Sequence, residues 1–323
     1  MSEHGLPAMS IVIVTDAFDT IRKTVAHLRA QTVRDRLELV IVTQAGVELP
    51  LGGSELGGFH GVSVITVEDI QSLSWARAPG IRAAAAPVVA LAESHCFPDP
   101  AWAEALLDAH RGPWAAVGPA LYNANPGTSV SWVNLLMDYG PWLGPTDGGE
   151  IDDLPGHNSS YKTDVLLAYG SKLETMLEAE TMMHLDLRAN GHRLFQEPAA
   201  RAYHLNVTKA SSWLGERFQT GRRFAAARSY GWSPLRRAAY SGGSPLIPLV
   251  RLPRLLRDRR RSDAREHLPP RAFPALLLAL VLSAAGELVG YAFGSGDSMF
   301  ALARIELHKE RHVDEREREA LLA

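Results

Sequence analysis

Cysteine is almost absent from this sequence, because Cys96 is the only one among 323 residues. A single cysteine excludes an internal disulfide and any zinc site that is built from several thiolates. We interpret Cys96 as a small buried residue rather than a nucleophile. The start of the chain, Met1–Pro7, lacks the basic residues and apolar run of a signal peptide, which predicts a protein body in a reducing cytoplasm.

Excess charge of either sign is also lacking, since the formal net charge is only -3. Overall charge therefore favours neither a nucleic acid nor an acidic substrate as a partner. A hydrophobic content of 46% with 21% charged residues supports a buried core and argues against global disorder. The length is sufficient for one large domain, or for one domain with an appendage.

Short apolar runs alternate with helical patterns in the first half of the chain. Runs rich in β-branched residues predict buried strands at residues 10–15, 37–43, 62–67, 87–92 and 115–120. Between them the spacing of apolar residues predicts helices at residues 20–31, 74–86 and 100–110, the second one broken at Pro79-Gly80. This alternation is typical of a mostly parallel sheet flanked by helices, so the predicted fold class is α/β.

The middle of the chain has a less regular pattern. Residues 123–154 are rich in Gly, Pro, Trp and Asn with weak periodicity, which predicts a long functional loop or lid. Residues 174–190 predict a helix that ends at Gly191, and residues 202–204 predict the end of a further strand.

The last third of the chain is basic and then apolar. Twelve arginines lie between Arg217 and Arg261, interleaved with aromatic and apolar residues. Residues 273–294 are almost wholly apolar, with Glu287 as the only charged residue, and this run is long enough to cross a bilayer. The arginines favour a cytoplasmic flank and would attract anionic headgroups. A buried core helix is the alternative interpretation of the apolar run.

Five segments stand in the same order as the motifs of one enzyme family. They are residues 10–15 with the helix end 28–32, then 76–84, 93–102, 156–162 and 178–194. Together they make the chain resemble the family 2 glycosyltransferases, which are inverting enzymes with a GT-A fold. The resemblance implies transfer of a sugar from a nucleotide-sugar donor, and it covers residues 10–204.

Glu93 and His95 are the metal-site candidates, since they are one residue apart on a loop that follows a predicted strand. Side chains there converge beyond the carboxyl edge of an open α/β sheet. A divalent cation, Mg²⁺ or Mn²⁺, would stabilise negative charge on the leaving diphosphate. The family has aspartates here, whereas this chain has Glu93-Ser94-His95. His204 is a further candidate ligand, with a purely structural role as the alternative.

Glu180 is predicted to be the catalytic base, because the resemblance puts it where the family's helix carries an aspartate. A carboxylate at this place takes the proton from the attacking acceptor hydroxyl. Glu178 is the alternative, and a third interpretation is that both are ordinary carboxylates near the start of a helix. The resemblance puts Asn158 and Tyr161 on the acceptor side.

Three residues are predicted to contact the donor. Arg77 is expected to contact the phosphates, because the fork of a guanidinium matches phosphate oxygens. Thr15 and Asp16 follow the first strand and are expected to contact the base or ribose. The second strand ends in Thr43-Gln-Ala-Gly instead of the family's aspartates, so the nucleotide is not specified.

The sequence thus predicts a membrane-associated glycosyltransferase whose catalytic domain, residues 1–210, faces the cytoplasm. Residues 211–272 are predicted to be a basic membrane-proximal region, 273–294 a membrane-embedded helix and 295–323 a charged tail. The expected partners are the nucleotide sugar, a glycan or lipid-linked acceptor of cell-envelope polysaccharide synthesis, and membrane lipids, but not nucleic acid. Whether the chain forms a homo-oligomer is left open.

Two other functions compete with this prediction. A nucleotidyltransferase would need a Gly-rich basic loop after the first strand, where this chain has Thr15-Asp-Ala-Phe-Asp. A catalytically inactive relative that serves as a membrane scaffold or partner subunit is supported by Ser94 and by Thr43-Gln-Ala-Gly.

Overall fold

The computed structural model describes residues 5–51, 53–178, 180–262, 264, 268 and 272–322. The chain forms two compact units. The first comprises residues 1–121 and 147–203, and the second comprises residues 122–146 and 204–323. These units do not coincide with the division into residues 1–210, 211–272, 273–294 and 295–323 that the sequence predicts. That division assigns functions to segments of the chain, and it stays a prediction.

One mixed sheet is the centre of the first unit. Its strands in the described part of the chain are β1 Met9–Thr15, β2 Leu37–Gln44, β3 Gly61–Val67, β4 Val88–Leu91, β5 Cys96–Pro98, β6 Trp114–Asn123, β7 Gly149–Ile151, β8 Ser160–Lys162 and β9 Arg193–His204. Their order across the sheet is β3-β2-β1-β4-β8-β6-β9-β5, and β7 pairs with β9. The half β3-β2-β1-β4 is parallel, while β8 pairs antiparallel with β4 and β6. The predicted α/β class is confirmed.

The helices connect these strands in the first unit and make up most of the second. In chain order they are α1 Phe18–Arg29, α2 Leu73–Ala83, α3 Trp102–Ala109, α4 Ser129–Tyr139, α5 Thr163–Leu167, α6 Leu173–Glu178, α7 Glu180–Ala189, α8 Ala210–Arg228, α9 Pro234–Gly243, α10 Ile247–Arg261, α11 Phe273–Phe293, α12 Ser298–Leu307 and α13 Glu315–Leu322. The second unit contains α4 and α8 to α13.

The parallel half of the sheet is covered closely by α2. Every residue of β1 is buried, as expected for a parallel strand with helices on both faces. Gly80 of α2 lies so close that a Cβ there would be 2.7 Å from methyl carbons of Val12 and of Val42. α2 runs from Leu73 to Ala83 through Pro79, so the predicted break at Pro79-Gly80 is wrong. Glycine keeps the helix close to the sheet at this point.

Residues 123–154 do not form the long loop that weak periodicity predicts. They contain α4 and β7, and α4 is buried at seven of its eleven positions. Because nearly all of its circumference is buried, its sequence shows no single apolar stripe. The hydroxyl of Thr128 caps its start by accepting a hydrogen bond from the backbone nitrogen of Ser131, at 3.2 Å. The prediction of a long loop is therefore wrong, and the predicted role as a lid stays a prediction.

The helix predicted at residues 174–190 is described as two helices, α6 and α7, on either side of residue 179. Gly191 follows α7 with φ of +83°, the left-handed conformation in which a helix commonly ends. The prediction of helical structure and of its end at Gly191 is confirmed.

Helices α8 and α11 pack backbone to backbone in the second unit. A Cβ at Gly286 would overlap the carbonyl oxygen of Phe218, and one at Gly290 would overlap that of Arg222. Glycines four residues apart therefore let the two helices approach more closely than side chains would allow. Glu287, which lies between these glycines, is buried and pairs with Arg251 at 2.8 Å.

Buried charges also join α4, α8 and the segment after α12. The guanidinium of Arg217 donates to both carboxylate oxygens of Asp138, at 2.8 Å each. Glu216 lies 3.4 Å from Arg217 and 3.5 Å from Lys309. Each buried charge thus has a partner of opposite sign, without which its burial would be strongly unfavourable.

α11 is the one helix among the described residues that is long and apolar enough to cross a membrane, and half of its most apolar window is buried inside the protein. Its exposed face carries Leu277, Leu278 and Val281. The predicted helix at residues 273–294 is confirmed. Its insertion into a bilayer stays a prediction, because length and composition alone also fit a buried helix.

The close packing of α8 on α11 can be tested with Gly286→Ala. The added methyl group meets backbone rather than a movable side chain, so we expect a loss of about 2 kcal/mol in the free energy of unfolding. Gly242→Ala is the matched control, since nothing lies within 4 Å of a Cβ at this position of α9. It should be neutral, or stabilising by up to about 1 kcal/mol. Urea unfolding followed by tryptophan fluorescence measures both, and equal effects would contradict the packing.

Candidate functional site

Two parallel neighbours, β1 and β4, end at one edge of the sheet. Leu91, the last residue of β4, is in register with Val12 of β1, and the nitrogen of Ala92 donates to the carbonyl of Val12 at 2.9 Å. Asp16 and Glu93 therefore follow their strands at the same edge. The hydroxyl of Thr15 donates to the carbonyl of Ala17 at 2.5 Å, which shapes the start of α1. The predicted nucleotide contacts of Thr15 and Asp16 stay predictions.

Glu93 is the centre of a cluster of polar side chains at this edge. Its carboxylate is buried, and Oε2 accepts a hydrogen bond from Nδ2 of Asn158 at 2.9 Å. Oε1 lies 3.6 Å from Nε2 of His95 and 3.9 Å from Nε2 of His157. Asn158 has a φ of +62°, a left-handed conformation that asparagine tolerates better than most residues. The turn at Asn158 thus holds the Glu93 carboxylate in place.

His157 connects Glu93 to a second group of charges. Nη1 of Arg77 lies 2.6 Å from Nδ1 of His157 and 3.8 Å from Oε1 of Glu180. Arginine can only donate, so Nδ1 of His157 must accept and its proton belongs on Nε2, which faces Glu93. Oε1 of Glu180 lies 3.3 Å from the same Nδ1. Glu93 and Glu180 therefore lie on opposite sides of one imidazole ring.

The two candidate bases have different surroundings. Glu178 accepts a hydrogen bond from the hydroxyl of Ser72, the residue that caps α2. Glu180 faces Arg77, and its carboxylate lies over Gly156, where any Cβ would overlap it. A glycine at position 156 is thus required for this placement of Glu180. The side chain of Glu180 is 21% exposed, so it is partly accessible.

The helix that carries Glu180 is held by a buried chain of hydrogen bonds. His184, one turn along α7, faces Asp153 with Nδ1 at 2.5 Å and the hydroxyl of Tyr161 with Nε2 at 2.9 Å. A carboxylate only accepts, so Nδ1 donates to Asp153 and Tyr161 donates to Nε2. Burial raises the pKa of Tyr161 well above its usual range, so the phenol keeps its proton.

Asn158 and Tyr161, the predicted acceptor-side residues, thus have partners inside the protein. Asn158 holds Glu93, and Tyr161 is fully buried against His184. Their predicted contact with an acceptor stays a prediction. Burial, and after it the charge of Glu93, raise the pKa of the Cys96 thiol well above its usual range, which agrees with a small buried residue and not with a nucleophile.

Two of the predicted metal ligands meet in the first unit: Oε1 of Glu93 lies 3.6 Å from Nε2 of His95, and both side chains are buried. His204 is the last residue of β9, and its Nδ1 lies 3.0 Å from Oδ1 of Asn206. A donor set that includes imidazole suits Mn²⁺ better than Mg²⁺, which prefers oxygen ligands.

Sequence reasoning did not single out His157, Asp153 or His184. His157 lies between Gly156 and Asn158 in segment 156–162, one of the five segments that resemble the family. Its place in that segment could have identified it. Asp153 and His184 are 31 residues apart, and no local pattern pairs them.

Comparison with known proteins identifies a family that the chain matches. Residues 10–170, about half of the chain, match the family model described as glycosyl transferase family 2. None of the curated proteins matches the chain. A crystal structure of residues 1–349 of TarS from S. aureus, in complex with UDP, is similar at a TM-score of 0.45 and 14% sequence identity. That alignment covers 89% of this chain and 90% of the other.

The hydrogen-bond chain behind α7 can be tested with Tyr161→Phe. The variant removes the donor to Nε2 of His184 in a fully buried place, so we expect the free energy of unfolding to fall by roughly 1–3 kcal/mol. Tyr169→Phe is the matched control, because its hydroxyl donates to Asp186 at 2.9 Å near solvent. Water can replace that bond, and a loss within about 0.5 kcal/mol is expected. Urea unfolding compares the two, and a Tyr161→Phe protein as stable as the control would contradict the buried chain.

Proposed function

Residues 10–170 belong to glycosyl transferase family 2, and we propose that the chain moves a sugar from a nucleotide-sugar donor to an acceptor hydroxyl with inversion. The observation that supports this proposal most directly is the placement of Glu93 and Glu180 on the two sides of His157. Glu93 would then hold the cation that stabilises the departing diphosphate, and Glu180 would take the proton of the incoming hydroxyl.

Arg77 is the proposed contact for the donor phosphates. Its side chain is only 2% exposed, and its Nε has no hydrogen-bond partner among the described residues. A buried guanidinium donor without an acceptor is costly, and an anionic group bound nearby would satisfy it. A diphosphate has the charge and the acceptor oxygens for this role.

Glu93 and His95 are the residues that would hold a divalent cation, and His204 stays the further ligand that the sequence predicts. The cation would act as a Lewis acid that stabilises the negative charge on the departing diphosphate. Asn158 keeps one oxygen of Glu93 fixed, which orients the other oxygen toward the rings of His95 and His157. Mn²⁺ is the proposed ion, because histidine ligands disfavour Mg²⁺.

Glu180 is the proposed base. It takes the proton from the acceptor hydroxyl, whose oxygen attacks the anomeric carbon from the side opposite the diphosphate. The bond from that carbon to the diphosphate oxygen breaks, and the electron pair leaves with the oxygen, so the configuration inverts. Nη1 of Arg77 lies 3.8 Å from Oε1 of Glu180, so the proposed base and the proposed phosphate contact are neighbours.

We place the reaction on the cytoplasmic side of a membrane, because nucleotide sugars are made in the cytoplasm. A glycan or a lipid-linked saccharide is the proposed acceptor. Ser94, in the middle of the segment where the family has its aspartates, and Thr43-Gln-Ala-Gly support the competing proposal of an inactive relative. Such a relative would retain the fold but bind no nucleotide sugar, which makes donor binding the first test.

The metal and donor are tested together by thermal unfolding with a set of nucleotide sugars, with and without Mn²⁺. A ligand that binds only the folded protein stabilises it by about 2.7 kcal/mol at a hundred times its Kd, so the correct donor should raise Tm when Mn²⁺ is present. Chelation with EDTA should abolish the shift.

Glu93→Gln, whose amide oxygen can still accept from Asn158, should abolish the rise in Tm that the donor causes in the presence of Mn²⁺. Glu68→Gln, on the exposed segment after β3, should leave that rise unchanged. A donor-induced shift that survives both EDTA and Glu93→Gln would exclude the metal site. No shift with any donor would favour the inactive relative.

The base is tested by comparing Glu180→Gln with Glu178→Gln. Both variants keep the size of the side chain and remove the proton acceptor, but only Glu180 lies beside Arg77 and His157. We expect Glu180→Gln to lower kcat by about a hundredfold or more with donor affinity nearly unchanged. Glu178→Gln should retain turnover. The reverse result, measured by release of the nucleotide diphosphate, would exchange the two roles.

A further inference from the structure

Positive charge is concentrated in one part of the second unit. Residues 229–261 contain eight arginines and a single acidic residue, Asp258, so this segment carries a net charge of +7. The whole chain carries -3, which leaves -10 for the remaining residues. Such segregation is not required for folding, and it is typical of a surface that meets an anionic partner.

The exposed face of α10 combines this charge with large apolar side chains. Leu246, just before the helix, is 60% exposed, and Leu249 and Val250 are 70% and 54% exposed. The face continues along the helix at a spacing of three to four residues with exposed side chains at Pro253, Arg254, Arg257, Arg260 and Arg261. We call these residues, 246 to 261, the α10 surface. Its first half is apolar and its second half is cationic.

A cleft lies within the cationic half. It has a volume of about 360 Å³ and is lined by Pro253, Leu256, Arg257, Arg260 and Arg261. Arg257 lies 3.7 Å from Asp258, and Arg261 also interacts electrostatically with this carboxylate, so one acidic side chain faces several arginines. Guanidinium groups above an apolar floor fit a phosphate group that is attached to hydrocarbon.

α11 does not provide an isolated span of the kind that the sequence suggests. Its glycines touch the backbone of α8 at Phe218 and Arg222, so the two helices cannot separate without loss of this packing. Crossing a bilayer with α11 would bring Arg251, which contacts Ser283 and Glu287 in the second half of this helix, toward the hydrocarbon, where charged side chains are costly. Attachment along the surface of a bilayer avoids this cost.

We propose that the α10 surface binds an anionic phospholipid bilayer in the plane of the membrane, with its leucines in the headgroup boundary and its arginines on lipid phosphates. Amphipathic helices with basic and apolar side chains bind at this depth. A nucleic acid would match the arginines but leave Leu246, Leu249 and Val250 in water, so lipid fits the whole face. The proposal does not depend on the proposed transferase activity.

The test is flotation of the full chain with vesicles of phosphatidylcholine alone or mixed with phosphatidylglycerol. We expect binding to the mixed vesicles only, weakened by salt because the arginine contacts are screened. Replacing Arg254, Arg260 and Arg261 by glutamine should weaken binding by roughly a hundredfold, because each arginine near an anionic surface contributes about a factor of five. Replacing Arg36, Arg111 and Arg201 by glutamine changes the charge equally at exposed positions of the first unit and should have little effect.

Further experiments separate binding to a bilayer from binding of a soluble phosphate. Leu246→Ser with Leu249→Ser should remove the part of the binding that survives high salt. Inorganic phosphate should compete no better than sodium chloride of equal ionic strength, whereas stronger competition would indicate a site for a soluble phosphate and overturn the proposal.

Alkaline carbonate should release the protein from cell membranes, and resistance to it would indicate a spanning helix instead. Equal effects of the two arginine triples would also overturn the proposal. So would a dimer in lipid-free solution that only the first triple disrupts, without vesicle binding, because a second copy of the chain would then occupy the α10 surface.

Discussion

Burial of the Glu93 carboxylate requires partners, because an ionised carboxylate without hydrogen bonds or opposite charge is strongly destabilising inside a protein. Asn158 supplies the hydrogen bond, and Nε2 of His95 and Nε2 of His157 lie 3.6 Å and 3.9 Å from the other carboxylate oxygen. This requirement explains the left-handed turn at Asn158, which is strained for most residues. It also brings the segment 156–162 against the edge of the parallel strands, and with it the contact between His157 and Glu180.

The second unit uses arginine in two different ways. Arg217 pairs with Asp138 and with the buried Glu216, Arg251 pairs with the buried Glu287, and these pairs join helices within the unit. Arg257, Arg260 and Arg261 at the end of α10 are exposed, on the helix face whose first half carries the exposed Leu246 and Leu249. Composition does not separate these two groups, since both occur in one basic stretch of the sequence. Only the positions of acidic partners on α4, α8 and α11 show which arginines stabilise the fold and which remain for a partner.

The parts of the fold that the sequence predicts well are those with strong local patterns. The strands β1, β2 and β3 are continuous β-branched runs, and α1 has a clear amphipathic period, so each was placed within a few residues. α4 was missed because it is buried on most sides, and its polar residues Ser131, Asn134 and Asp138 bond to partners inside the protein instead of marking a side that faces water. The prediction of a break at Pro79 was wrong. Proline removes one hydrogen bond from the helix, but the close packing of α2 on the sheet keeps the helix intact.

The sequence alone determined the α/β class, the family and the short list of acidic and basic residues that carry the chemistry, because all of these depend on local patterns and on the order of motifs. Tertiary structure decided which residues meet. It turned Glu178 toward Ser72 and Glu180 toward Arg77, and it placed His157 between Glu180 and Glu93. Such choices depend on contacts between residues far apart in the chain, and those distances appear only when the sheet and its helices have packed.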